Sequence, residues 1–165
     1  VVRLSFAAAA AVAPTAPALG VAPTTLTGRV LVVDDEASVR RSTGRILRKL
    51  GVEVDEADSA ARALERLTAG PLPTYLLTDL AMPDINGLQL AEIARQRWPG
   101  LAIAVVSGFA DDAALEKIGA LGAAFVGKPF SAAQLHDALA VGLALAQSRT
   151  VDGGDDRDGG ENPSG

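Results

Sequence analysis

Residues 29–36 read Arg-Val-Leu-Val-Val-Asp-Asp-Glu, and the fold is decided here. The run Arg29–Val33 is β-branched and aliphatic, too short for a helix, and cut off by three acids, so it predicts a strand that delivers Asp34-Asp35-Glu36 at its carboxyl end. Residues 37–50 then switch period. Val39, Ile46, Leu47 and Leu50 fall on one helical face, and Arg40, Arg41, Arg45, Arg48 and Lys49 are expected largely outside. Gly51 ends that helix.

The same alternation continues outward from this unit. Val52–Ala57 alternates apolar and acidic residues, as a strand near a sheet edge does. Asp58 or Ser59 caps a helix running through Leu67, and Gly70-Pro71 with Pro73 marks a loop. Thr74–Thr78 predicts a third strand ending at Asp79, Gly87–Trp98 a helix stopped by Pro99-Gly100, and Leu101–Val106 a wholly apolar fourth strand. Asp111–Leu121 reads as a helix and Ala123–Val126 as a short fifth strand. Ser131 caps a last helix with Leu135, Leu139 and Leu143 spaced four apart. Strands separated by helices imply an α/β fold with a five-stranded parallel sheet covered on both faces, and right-handed crossovers make it doubly wound.

The composition suits one such domain. The chain has 165 residues, 48% hydrophobic, with a formal charge of −5 and a pI near 4.8, which argues against direct nucleic-acid binding. There is no Cys and one His, which excludes disulfides, thiolate chemistry, multi-His metal sites and most Ser/His catalysis. No stretch is apolar and long enough to cross a membrane. Residues 1–27 are rich in Ala and Pro and read as a linker or as the remnant of an upstream domain. A signal peptide is the competing reading, with Arg3 as its thin basic end. Residues 149–165 hold five acids and almost nothing apolar, so they are expected to form a disordered acidic tail. The domain proper is placed at 28–148.

In an open parallel sheet, ligands bind outside the carboxyl ends of the strands. Those ends carry Asp34 and Asp35, Asp79, Ser107 and Lys128. Each has an ordinary use alone, as a helix cap, a turn residue or a counter-charge. Together they place three carboxylates, a hydroxyl and an ammonium on one rim. Two carboxylates about 4 Å apart repel by roughly 4 kcal/mol at an effective dielectric near 20, so a cation must offset them. Lys128 supplies one charge. Oxygen donors without His or Cys favour Mg²⁺ for the rest. A carboxylate beside Mg²⁺, a lysine and a hydroxyl is equipped to accept a phosphoryl group.

The segments Val30–Glu36 (VLVVDDE), Thr78–Leu88 (TDLAMPDINGL), Val105–Ala110 (VVSGFA) and Phe125–Phe130 (FVGKPF) together resemble the receiver domain of two-component response regulators. The resemblance implies a flavodoxin-like strand order 2-1-3-4-5. It implies Asp79 as the phosphorylated aspartate, Asp35 as the direct metal ligand and Asp34 as an acid acting through water. Ala81 would ligate the metal through its backbone carbonyl. Ser107 and Lys128 would serve the phosphate, Gly108 would leave room for it, and Lys128-Pro129 would be cis. Ser107 and Phe125 would form the switch. It further implies a histidine kinase or histidine phosphotransfer domain as partner, assistance by the receiver in its own phosphorylation and dephosphorylation, and a cytoplasmic setting.

Other classes fit less well. Phosphatases resembling the haloacid dehalogenases need a second Asp where Ala81 stands, and dinucleotide enzymes need G-x-G-x-x-G where Asp34-Asp35-Glu36 stands. A non-phosphorylated interaction module would have no use for the acidic set. Two settings remain open, a stand-alone receiver and the C-terminal receiver of a hybrid sensor histidine kinase. Val1 in place of Met, the strand-like Val1–Phe6 and the Ala/Pro segment favour the latter.

Overall fold

The computed structural model describes residues 25–152, with side chains through residue 150. Five strands alternate with five helices: β1 Arg29–Val33, α1 Ala37–Lys49, β2 Glu53–Ala57, α2 Ala60–Ala69, β3 Tyr75–Asp79, α3 Gly87–Arg97, β4 Ala102–Ser107, α4 Asp112–Ala120, β5 Ala124–Gly127 and α5 Ala132–Asp152. All strand pairs are parallel, and the sheet order is β2-β1-β3-β4-β5. Among the described residues no helix is long and apolar enough to cross a membrane.

Period-two alternation in the strands divides the core into two layers. Val30, Val32, Tyr75, Leu77, Ala102, Ala104 and Val106 face one way, against Leu47 of α1 and Leu135, Ala138, Leu139 and Ala146 of α5. Leu31, Val33, Leu76, Ile103 and Val105 face the other way, against Ala60, Ala63 and Leu67 of α2, Leu90, Ala91 and Ala94 of α3 and Ile118 of α4. Central strands β3 and β4 are buried on both faces, which is why they read as mainly apolar, with polar Thr78, Asp79 and Ser107 only at their carboxyl ends. The edge strand β2 is only partly buried. Its Glu53 and Asp55 pair with Arg29, 3.1 and 3.6 Å away, and such charges discourage a further strand from adding.

Local chemistry sets the helix starts. Ser59 caps α2, Asp111 caps α4, and Asn86 forms a reciprocal capping box with Gln89 on α3. Ser131 and Gln134 exchange the same pair of bonds at α5, at 3.2 and 2.8 Å. α1 begins differently: Glu36 occupies the cap position without capping a helix N–H, and its Oε1 instead accepts the Ser38 hydroxyl at 2.7 Å.

Two expectations need correction. The last helix runs to Asp152, past the boundary expected at 148 and into the segment expected as tail. Arg149 explains the extension, because its Nη2 donates to the Ala120 carbonyl at the end of α4 at 2.9 Å. At the other end Leu26, assigned to the linker, is buried in the α1/α5 core layer. Of these two readings, the parts covering residues 1–24 and 153–165 fall outside the described residues.

Arg95 is a buried base that helical periodicity alone places on the surface. Its guanidinium donates to the carbonyls of Pro99, Leu101, Leu121 and Gly122 at 2.7–3.0 Å, tying the end of α3 to the start of β4 and the α4–β5 turn. Arg95→Ala leaves those acceptors without their donor, and it is expected to lower unfolding free energy by about 2–3 kcal/mol in urea titration.

Candidate functional site

Backbone ladders carry the site residues beyond the strand ends. Asp34 N–H donates to the Ala57 carbonyl at 3.2 Å, Leu80 to Val106 at 2.8 Å and Lys128 to Ser107 at 2.8 Å. The chain is therefore still in sheet register where the polar side chains emerge; the Asp34-Asp35 and Asp79 side chains converge because β1 and β3 are neighbours, and Lys128 reaches them from beyond β4.

Asp34, Asp35 and Asp79 each offer a carboxylate oxygen, and these oxygens lie within 4.8 Å of one another. Asp34 and Asp79 are buried and Asp35 is exposed. Lys128 reaches across from the end of β5. Its Nζ is 2.9 Å from Asp79 Oδ1 and 3.4 Å from Asp34 Oδ2. The Lys128-Pro129 peptide is cis, as expected. Asp34 Oδ1 accepts the Glu36 N–H at 2.9 Å, so Asp34 closes the turn into α1 as well as facing Lys128.

Burial raises the Asp79 pKa above the ordinary aspartate value, opposed by Lys128 and reinforced by the charges of Asp34 and Asp35. At Lys128 burial acts in the opposite sense, but the bonds and charges of Asp79 and Asp34 outweigh it and raise its pKa. Lys128 thus stays cationic at neutral pH while one positive charge faces three carboxylates. The donor set is all oxygen, tightly grouped and short of positive charge. That fits a hard divalent cation such as Mg²⁺.

Ser107 is buried at the end of β4, but its hydroxyl is engaged away from Asp79. It donates to the Phe109 carbonyl at 2.5 Å and accepts the Phe109 N–H at 3.1 Å. Gly108 faces open space: a Cβ there would meet nothing within 4 Å. Phe125 is 37% exposed, turned outward from β5 over a groove of about 480 Å³ shared with Gln134, Asp137, Ala138 and Val141 of α5. Ala81 is exposed in the loop that follows Asp79.

Sequence reasoning missed Arg40. It was expected largely outside, on the basic face of α1, but its side chain is only 15% exposed. It turns toward the site, and Nη1 donates to the Asp34 carbonyl at 2.6 Å. The signal in the sequence was a base within the first two turns after an acidic strand end; periodicity alone could not say which way it bends.

Comparisons with known proteins bear on the family and the fold. The family model described as the response regulator receiver domain matches residues 30–140. The chain is 39% identical over 82 residues to the response regulator receiver protein CpdR of Brucella abortus, covering 50% of this chain and 68% of CpdR. It is 36% identical over 108 residues to the sensor kinase CckA of the same organism, covering 64% of this chain but only 11% of that much longer protein. Among solved structures, the response regulator protein TrrA of Thermotoga maritima, in complex with Mg(2+)-BeF, matches with a TM-score of 0.60 and 27% identity over 66% of this chain and 93% of TrrA.

Proposed function

This chain belongs to the response regulator receiver family, and from that premise we propose that Asp79 accepts a phosphoryl group from a phosphohistidine in a Mg²⁺-dependent reaction that reshapes the surface around Phe125. The donor would be a histidine kinase or a histidine phosphotransfer domain. One observation carries the reading: three carboxylates gathered within 4.8 Å, with the Lys128 ammonium 2.9 Å from Asp79.

In the transfer, an Asp79 oxygen attacks phosphorus. The O–P bond forms, the N–P bond of the donor breaks, and the imidazole leaves with its electron pair. Asp34, Asp35 and Asp79, with the Ala81 carbonyl, would hold Mg²⁺. Bound there it supplies positive charge against the phosphoryl oxygens and against the carboxylate cluster. Lys128 already touches Asp79 and needs only to shift toward a phosphoryl oxygen. The space beside Gly108 accommodates the group.

The switch follows from bond exchange. A phosphoryl oxygen is a stronger acceptor than a neutral carbonyl, so the Ser107 hydroxyl leaves Phe109 and donates to it. Room opens behind Ser107, and Phe125 turns inward from its half-exposed position. As a phenylalanine it takes no hydroxyl into that space. The α5-side groove beside β5 changes shape, and the phosphate shifts the balance between the two arrangements by its differential contacts.

The similarity to a sensor kinase favours a second reading, in which this receiver is one segment of a hybrid kinase and its donor lies on the same polypeptide. The chemistry at Asp79 is then unchanged.

The test is incubation with radiolabelled acetyl phosphate, with Mg²⁺ or with EDTA. The expected result is one label per chain, dependent on Mg²⁺ and released by hydroxylamine as an acyl phosphate is. Label that resists hydroxylamine or forms equally in EDTA would overturn the reading.

A further inference from the structure

Asp35 is the member of the acidic cluster with the least support. It is exposed, and among the described residues no hydrogen bond or ion pair holds its carboxylate. Its place within 4.8 Å of the other two carboxylates therefore comes from its backbone. That backbone is fixed through Asp34, every polar atom of which has a partner. The N–H goes to Ala57 at 3.2 Å, Oδ1 takes Glu36 N–H at 2.9 Å, Oδ2 faces Lys128 at 3.4 Å, and the carbonyl oxygen takes Arg40 Nη1 at 2.6 Å.

The carbonyl of Asp34 belongs to the peptide that joins it to Asp35. Whatever orients that carbonyl also sets the plane from which Asp35 departs. Arg40 is itself aimed. Its Nε lies 3.7 Å from Glu56 Oε2 in β2, while Glu56 Oε1 takes Arg48 Nη2 at 3.2 Å. One carboxylate at the sheet edge thus holds two guanidiniums of α1, and Arg40 spans the gap from β2 to the loop after β1. A planar fork can meet both partners at once, which an ammonium cannot do with the same geometry.

We infer that Arg40 is a positioning residue for the cation site: by gripping the Asp34–Asp35 peptide from its anchor on Glu56, it presents the otherwise unsupported Asp35 carboxylate. This rests on the acidic cluster being a divalent-cation site, as proposed above. Arg40 also brings a positive charge near that site, and the two roles have opposite signs. If charge alone mattered, removing Arg40 would tighten cation binding. If Arg40 positions Asp35, removing it weakens binding.

The experiment is calorimetric titration of the full chain with MgCl₂, with no phosphodonor present. The expected Kd of Arg40→Ala is about 10-fold weaker than wild type, at the lower end of the losses seen when a group orienting a metal ligand is removed. Arg40→Lys keeps the charge without the fork, and it is expected to weaken binding several-fold. It also serves as the folded comparison if the alanine variant proves unstable. A thermal melt without metal accompanies each titration, since a merely structural role would lower the melting temperature and leave the Kd of the remaining folded protein unchanged. An unchanged or tighter Kd in Arg40→Ala, with wild type binding Mg²⁺, overturns this inference alone. Failure of the wild type itself to bind Mg²⁺ overturns the cation site and this inference with it.

Discussion

Asp79→Asn is expected to reduce labelling by acetyl phosphate to below about one-thousandth of the wild-type level, a loss of more than about 4 kcal/mol of transition-state stabilisation. The amide is nearly isosteric with the carboxylate, but its oxygen carries no negative charge to attack phosphorus. The fold is expected not to depend on that charge. Burial and the neighbouring Asp34 and Asp35 already push the Asp79 carboxyl toward its neutral form, so the ionised group is a cost to the native state that Asn removes. Lys128 retains Asp34 at 3.4 Å as a partner. The melting temperature of Asp79→Asn in the absence of metal should therefore equal or exceed that of wild type, which separates lost chemistry from lost structure. Persistent hydroxylamine-sensitive label in this variant would move the phosphoacceptor to another carboxylate.

Gly87→Ala is expected to destabilise the domain by about 4 kcal/mol, measured by urea denaturation, and to impair labelling in whatever fraction remains folded. Gly87 opens α3 directly beneath the site. A Cβ built on it would stand 2.0 Å from the Asp79 carbonyl oxygen and 2.8 Å from the carbonyl carbon. Both are backbone atoms, so no side-chain rotation relieves the overlap; either α3 or the Asp79–Leu80 segment must move. The Gly87 N–H also donates to the Leu80 carbonyl at 3.0 Å, and the Leu80 N–H to Val106 at 2.8 Å. The displacement would thus reach both the Asp79 carboxylate and the β3–β4 ladder that aligns it with Ser107. A variant of wild-type stability would mean that the helix start yields freely, and that the close approach does not constrain the site.

These two positions differ in how they could be read. Asp79 is legible as a residue: an acid closing an apolar strand in an alternating pattern stands at the carboxyl edge of a parallel sheet, where ligands bind. The same logic located Asp34, Asp35, Ser107 and Lys128. Gly87 is legible only as a helix start, because its contact with Asp79 runs between main chains and leaves no mark in hydrophobic periodicity. Arg40 and Arg95 show the same limit from the other side. Arg40 belongs to a helix rich in exposed bases and Arg95 lies two residues before the exposed Arg97, yet both turn inward, toward carbonyls supplied by other segments. A guanidinium on a long stem reaches either solvent or a buried acceptor, and the amino-acid type is the same in both cases. The final helix exceeded its expected end for a related reason. Gly and Asp beyond residue 149 signal a stop, but Arg149 gains a carbonyl on α4 that only the folded chain supplies.

The sequence by itself determined the element types, their alternation, the doubly wound parallel sheet and the identity of the residues on its polar rim. These follow from periodicity and from the rule that each strand of such a sheet ends on the same side. Tertiary structure decided the pairing of Lys128 with Asp34 across 94 positions of chain, the outward Phe125, the Ser107 hydroxyl held by Phe109, and the inward Arg40. The physical reason is that a periodic pattern records which face of a segment is apolar. The partner of a polar group is fixed by which other segment lies within about 3 Å of it.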